Sequence, residues 1–205
     1  VLWPELVQIR FVGLFDSVAA IVNPLSGDLL AHNDRNHPVR LYLDPGKVGQ
    51  VVHLTAAHEH RKNFALNSLR NRDGSLPANF REVTLPGVHS DIGGGYDESQ
   101  REDVLLSPRL QIPQNRLRWP EKTSQWDSLV RGEYSRVALR LMHRLAVEKD
   151  VPLIEVDPTD DTVSVPGDLA PVLEQFVEQV TQGNDEPSLD SEYLDLLLQR
   201  YIHHS

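Results

Sequence analysis

Two stretches of this chain, Val7–Phe15 (VQIRFVGLF) and Phe80–Val88 (FREVTLPGV), are dense in β-branched and aromatic side chains, and each runs straight into a residue that can handle a proton. Asp16 follows the first and His89 follows the second. The first stretch has the near-continuous apolar character of a strand buried on both faces. The second alternates charged and apolar residues until Pro86 marks its end. Helical patterns fill much of the rest. Val51–Leu69 carries Val51, Leu54, Ala57 and Phe64 at spacings compatible with a helix that breaks near Asn63. Strands with polar ends that alternate with helices make this an α/β chain, with a mostly parallel sheet and flanking helices.

Three further helices are expected at the C-terminal end. One runs near Glu133–Lys149 and places Val137, Ala138, Leu141, Met142 and Leu145 on one side. The next is capped by Asp168, takes Pro171 in its first turn, buries Val172, Leu173, Phe176, Val177 and Val180, and stops at Gly183. The last starts around Ser188 and buries Leu194, Leu197, Leu198, Tyr201 and Ile202. Between these elements lie a long polar loop at 23–49, with a possible short strand at Leu41–Leu43, and a polar, proline-spotted insertion at 99–128.

Totals narrow the function. The 205 residues suit one domain, and acidic residues exceed basic ones by 30 to 20, for a net charge of −10. That balance opposes binding to nucleic acid, which needs clustered Lys and Arg. Arg136, Arg140 and Arg144 stand four apart and read as a solvated helix face. With no cysteine there is no disulfide, thiolate chemistry or cysteine-based zinc site. No apolar run approaches the roughly 18–20 residues of a membrane span, and no signal peptide is visible. A chain that opens on Val1 and closes on Tyr201-Ile202-His203-His204-Ser205 reads as part of something longer.

In open α/β sheets the ligand crevice lies outside the carboxyl ends of the strands. A carboxylate and an imidazole at two such ends can meet there. The carboxylate fixes the imidazole tautomer and stabilises the imidazolium that forms when the far nitrogen takes a proton. Asp16 as acid and His89 as base are therefore the candidate catalytic pair, in the Ser…Asp…His chain order of α/β-hydrolases. No glycine is followed two positions later by serine, so the Gly-x-Ser-x-Gly nucleophile motif is absent and the serine is expected upstream of Val1. Asp91 competes for the acid role, but a pair two residues apart usually points apart, which leaves it ordering the loop. Ser90, Asp91, Gly93, Gly94 and Gly95 are read as the supporting loop, the glycines allowing a sharp turn under the site. No Lys-Ser or Lys-Thr follows them, so they are not a phosphate-binding loop. Ser17 ranks low as a nucleophile, because Phe15 stands where Gly-Asp-Ser lipases carry glycine. His58 and His60, with His89 and Asp91, would resemble a metal-ligand set only if 55–61 is not helical; no metal and no cofactor are expected.

The blocks Phe11-Val12-Gly13-Leu14-Phe15-Asp16-Ser17-Val18, His53-Leu54-Thr55-Ala56-Ala57-His58-Glu59-His60-Arg61 and Leu85-Pro86-Gly87-Val88-His89-Ser90-Asp91-Ile92-Gly93-Gly94-Gly95-Tyr96 resemble signature blocks of one family, as does Arg200–Ser205. That family is the α/β-hydrolase group of the first-class type VI secretion lipase effectors. The resemblance implies that residues 1–205 are the C-terminal portion of a single α/β-hydrolase catalytic domain. It implies phospholipase A-type ester hydrolysis on a phospholipid substrate, with Asp16 and His89 as acid and base. It also implies a bacterial protein made in the cytoplasm and delivered to the periplasm of a target cell. Its partners would be secretion-spike proteins, an immunity protein, and the upstream part of the same protein that carries the serine. Two rival readings stand beside it: a non-catalytic, partner-binding fragment or degenerate paralogue, and a His/Asp metallohydrolase.

Overall fold

The computed structural model describes residues 8–18, 43–61, 64–97, 100–101, 129–157 and 159–203. Strands β1 (Ile9–Phe15), β2 (Val48–Ala56) and β3 (Phe80–Leu85) form one sheet in the order β1-β2-β3. Both pairings are parallel, with Phe15 beside Leu54 and Ala56 beside Leu85, so all three strands end on the same side. The α/β expectation holds at this level.

β2 replaces the helix expected over Val51–Leu69. It is the central strand, and Val51, Val52, His53, Leu54 and Thr55 are all buried, so apolar residues occupy both faces and the period of 2 is hidden. Val52 and Leu54 face a core shared with Val83, Leu85 and the helices α2 (Tyr134–Val147), α3 (Ala170–Thr181) and α4 (Ser191–Arg200). Val51 faces a smaller cluster with Val48 and Phe80, covered by Leu43, Leu69 and Leu76.

Other differences are local. Asp168 does not cap α3, whose first-turn neighbour is Leu169; its carboxylate accepts the Tyr201 hydroxyl at 2.8 and 2.9 Å instead. Leu198 is 43% exposed, not buried, because α4 buries Leu197 as its main contact. Arg136 and Arg140 are half-buried and only Arg144 is exposed, so that row is not a uniformly solvated face. Val48 and Gly49, expected in the loop at 23–49, belong to β2, and Gln100–Arg101 (β4) pairs antiparallel with Leu129–Val130 (β5). Residues 19–42, with most of Leu41–Leu43, and 102–128 lie outside the described residues. Among the described residues, no helix is long and apolar enough to cross a membrane.

Candidate active site

β1 delivers Asp16 into a tight turn. Its φ of 38° lies in the left-handed region, which Asp tolerates better than most residues but which costs something all the same. The turn is held by β2. Asp16 donates its N–H to the Leu54 carbonyl at 2.7 Å, and its Oδ1 accepts the Ala56 N–H at 2.8 Å. That leaves Oδ2, which lies 2.9 Å from Nδ1 of His89. The structure thus brings together the two strand-end residues singled out from the sequence. The Asp16 side chain is 3% exposed and that of His89 is 23% exposed. With an ionised carboxylate at Nδ1, that nitrogen carries the proton and Nε2 keeps its lone pair, a tautomer assigned from the hydrogen bond.

His89 opens the short helix α1 (His89–Gly93), and three side chains just after β2 wall it in. Its N–H donates to Oε2 of Glu59 at 3.2 Å. Glu59 in turn is gripped by Arg61 Nε and NH2 at 2.9 and 2.7 Å, and this guanidinium holds the carboxyl down at about 2. The Arg61 guanidinium lies 3.8 Å above the Phe64 ring, and Phe64 meets the His89 ring edge-on at a centroid distance of 5.1 Å. The imidazole is therefore fixed by its own amide, by a carboxylate at Nδ1 and by an aromatic edge. Such a group can take a proton at Nε2 and return it.

Asp91 does not face His89; it pairs with His203. Its Oδ1 lies 2.6 Å from His203 Nδ1, and its Oδ2 accepts the N–H groups of Val88 and His203 at 2.9 and 3.1 Å. Both side chains are almost wholly buried, and Tyr96 stacks on the His203 ring at 3.5 Å. The bond to Val88, the residue before α1, is half of a capping box. Gly87 is required beside it: its φ is 123°, and a Cβ there would stand 2.9 Å from that of Asp91. Ser90 accepts the Gly94 N–H through its carbonyl at 3.0 Å, Gly93 closes the helix, and Gly94 and Gly95 turn away at φ 82° and 124°. Sequence reasoning missed His203, Glu59, Arg61, Phe64 and Tyr96 as parts of this site. The signal lay in the blocks around residues 53–61 and 200–205, since no local spacing links them to His89.

His58 and His60 are not helical, which removes the geometric objection to a metal set. His58 Nδ1, however, accepts the Gly87 N–H at 3.2 Å, and among the described residues no group of three or more potential ligands stands together. Ser17 uses its backbone, donating its N–H to His53 at 2.9 Å and accepting that of Asn67 at 2.8 Å. A cleft of about 420 Å³ has Phe15, Gly93, Gly94, Tyr96, Arg136 and Leu139 among its walls, and neither Asp16 nor His89 lines it.

With this geometry in hand, the comparisons decide the family. The model of the catalytic domain of Tle1-like type VI secretion phospholipase effectors matches residues 3–123, more than half of the chain and the part that contains both Asp16 and His89. The chain belongs to the Tle1-like family of type VI secretion phospholipase effectors. Among solved structures, it is similar to the Tle1 effector bound to the VgrG spike, at 23% identity and a TM-score of 0.64, over 96% of this chain and 48% of that one. The Tle1-like chain thus shares the fold of its solved relative and spans about half of its length. An uncharacterised protein from Pseudomonas aeruginosa also aligns, at 24% identity and a TM-score of 0.46, over 88% of this chain and 23% of that one. No curated protein sequence matches.

Proposed function

We propose that this chain is the C-terminal portion of a single α/β-hydrolase domain that cleaves phospholipid esters through a Ser-Asp-His triad. The serine stands in the part of the protein upstream of these residues. It attacks the acyl carbonyl carbon, and its proton passes to Nε2 of His89. Asp16 keeps the Nδ1 proton in place and stabilises the imidazolium. As the tetrahedral intermediate collapses, His89 gives the proton to the departing alcohol oxygen. Water, deprotonated by the same nitrogen, then attacks the acyl-serine, and as the fatty acid leaves His89 returns that proton to the serine oxygen. Backbone N–H groups of the upstream part supply most of the oxyanion hole, and the rest of helix α1 (Ser90, Asp91 and Gly93) with the turn at Gly94 and Gly95 supports His89.

The observation that carries this reading is the 2.9 Å contact between a buried carboxylate and a partly exposed imidazole, delivered from the ends of β1 and β3 on either side of β2. Treating all 205 residues as one domain is supported by the core that joins β2 and β3 to α2, α3 and α4. Membership of a type VI secretion phospholipase effector family supports phospholipid as substrate and delivery by type VI secretion. A-type cleavage, the target-cell periplasm as destination and an immunity protein as antagonist are the remaining parts of the proposal. The solved Tle1 effector is bound to a VgrG spike, and a spike protein is the carrier we assign here.

The test is hydrolysis of phospholipid vesicles by the full-length protein. Wild type releases fatty acid and is indifferent to chelator, whereas His89→Ala is inactive. Undiminished release by His89→Ala, or abolition by chelator, rejects the triad.

A further inference from the structure

A fully buried histidine that the proposed mechanism does not use stands beside the Asp16 turn. His53 lies at the middle of the central strand and is fully buried. Its cross-strand neighbours are Leu14 on β1 and Glu82 on β3. Its Nε2 lies 2.9 Å from the backbone nitrogen of Ser17, the residue directly after Asp16. An amide N–H can only donate, so Nε2 must present its lone pair and the ring proton must sit on Nδ1. Nδ1 is 3.7 Å from Oε1 of Glu82, too long for a good hydrogen bond but close enough for the carboxylate to favour a proton there.

Glu82 is itself kept ionised. Burial pushes its carboxyl up, but His53, the Leu69 N–H and the Ser68 hydroxyl outweigh that and hold it at about 2. The Ser68 and Leu69 bonds measure 3.0 and 2.6 Å, and Arg70 stands 3.2 Å away. Among the described residues, the charged groups around His53 are therefore Glu82 on β3, Arg70 behind it, and Asp16 at the end of β1.

We propose that His53 is a positioning residue for the Asp16 turn, held as the Nδ1–H tautomer by Glu82 so that Nε2 can anchor the Ser17 amide. The inference rests on Asp16 as the catalytic acid. The turn has a left-handed Asp at its centre, and β2 restrains it at three successive points: the Leu54 carbonyl, the Ala56 amide and the His53 ring. Of these, only the His53 anchor comes from a side chain that can gain a proton. A second proton on His53 would have to enter at Nε2, facing another donor, and the turn would lose that anchor. Asp16 would then be free to drift from His89 Nδ1.

The tautomer can be read directly by ¹⁵N NMR of histidine-labelled full-length protein at neutral pH. A protonated Nδ1 and a bare Nε2 are expected for His53; a protonated Nε2 overturns the proposal. In vesicle hydrolysis, His53→Leu should lower kcat by about a hundredfold, the scale of a misplacement near 1 Å, with KM unchanged. His53→Gln, whose Oε1 can replace Nε2 as acceptor, should recover most of the rate. A His53→Leu protein with wild-type kcat overturns the role, and so does a His53→Gln protein as slow as His53→Leu. Should His53→Leu not fold, the tautomer and the rate of His53→Gln against wild type decide. Full activity in His89→Ala would instead defeat the triad itself, while the tautomer result would still stand or fall by its own spectrum.

Discussion

Asp16–His89 and Asp91–His203 use the same two groups and the same ring nitrogen, at 2.9 and 2.6 Å. Their surroundings differ. The His89 side chain is 23% exposed, whereas that of His203 is fully buried, its Nε2 without a hydrogen-bond partner among the described residues and its face covered by Tyr96. Asp16 spends its second oxygen on the end of β2, while Asp91 spends its own on the amides of Val88 and His203. A carboxylate–imidazole pair is therefore not a site by composition. Access to the far nitrogen decides whether it can exchange a proton with a substrate or only tie two segments together. The open pair keeps its imidazole partly exposed; the sealed one fastens the chain's last described residues to the helix that carries His89.

The sharpest way to break this contrast is to disable each pair in the full-length protein and compare activity with stability. Asp16→Asn should reduce phospholipid hydrolysis by about 10⁴-fold, the cost of stabilising the wrong tautomer, with little change in the urea midpoint. His203→Ala should do the reverse. Removing one partner of a buried pair typically costs about 3–5 kcal/mol, so the urea midpoint should drop sharply while the folded fraction keeps most of its turnover. Equal losses of activity from the two substitutions would erase the distinction.

Gly87→Ala tests the support beneath the sealed pair. It places a Cβ against Asp91 at a φ that disfavours side chains, and should cost about 1–3 kcal/mol by thermal or urea unfolding. A neutral outcome would show that Asp91 is not tightly seated.

Acid should probe the opposite side of the contrast. Glu59 and Glu82 sit at about 2 in the folded protein against an ordinary 4.5. Because their folded values are depressed, the unfolded chain binds more protons as pH falls. The stability these groups contribute is complete above about pH 4.5 and is lost as pH falls toward 2. Glu59→Gln should flatten the stability–pH curve in that window, and a curve with unchanged slope would contradict the Arg61 grip. The smallest effect is expected from Phe64→Leu. Losing an edge-on aromatic contact, worth roughly 0.5–1.5 kcal/mol, should loosen the His89 ring and lower kcat several-fold at nearly constant stability.

How much of this was legible in the sequence depended on range. Asp16 and His89 could be read because each ends a β-rich stretch, and parallel strands deliver their ends to one side. β2 was misread as a helix because a central strand buried on both faces loses its alternation, and His53 and Thr55 inside it are polar yet buried. Asp91 was expected in a loop but lies in helix α1, and its partner is 112 positions away, a contact no periodicity reports. Asp168 carried a correct-looking capping signal that lost to a competing acceptor role for the Tyr201 hydroxyl. Local rules pointed to the two residues that the structure pairs, and tertiary packing supplied what holds them.

The central claim, that Asp16 and His89 act as one unit, is tested most directly by a double-mutant cycle on kcat/KM for vesicle hydrolysis with Asp16→Asn, His89→Ala and the pair combined. If they form one proton relay, the double substitution is scarcely worse than His89→Ala alone, since the acid acts only through the base. Losses that simply multiply would mean that the two side chains work independently and would contradict the account.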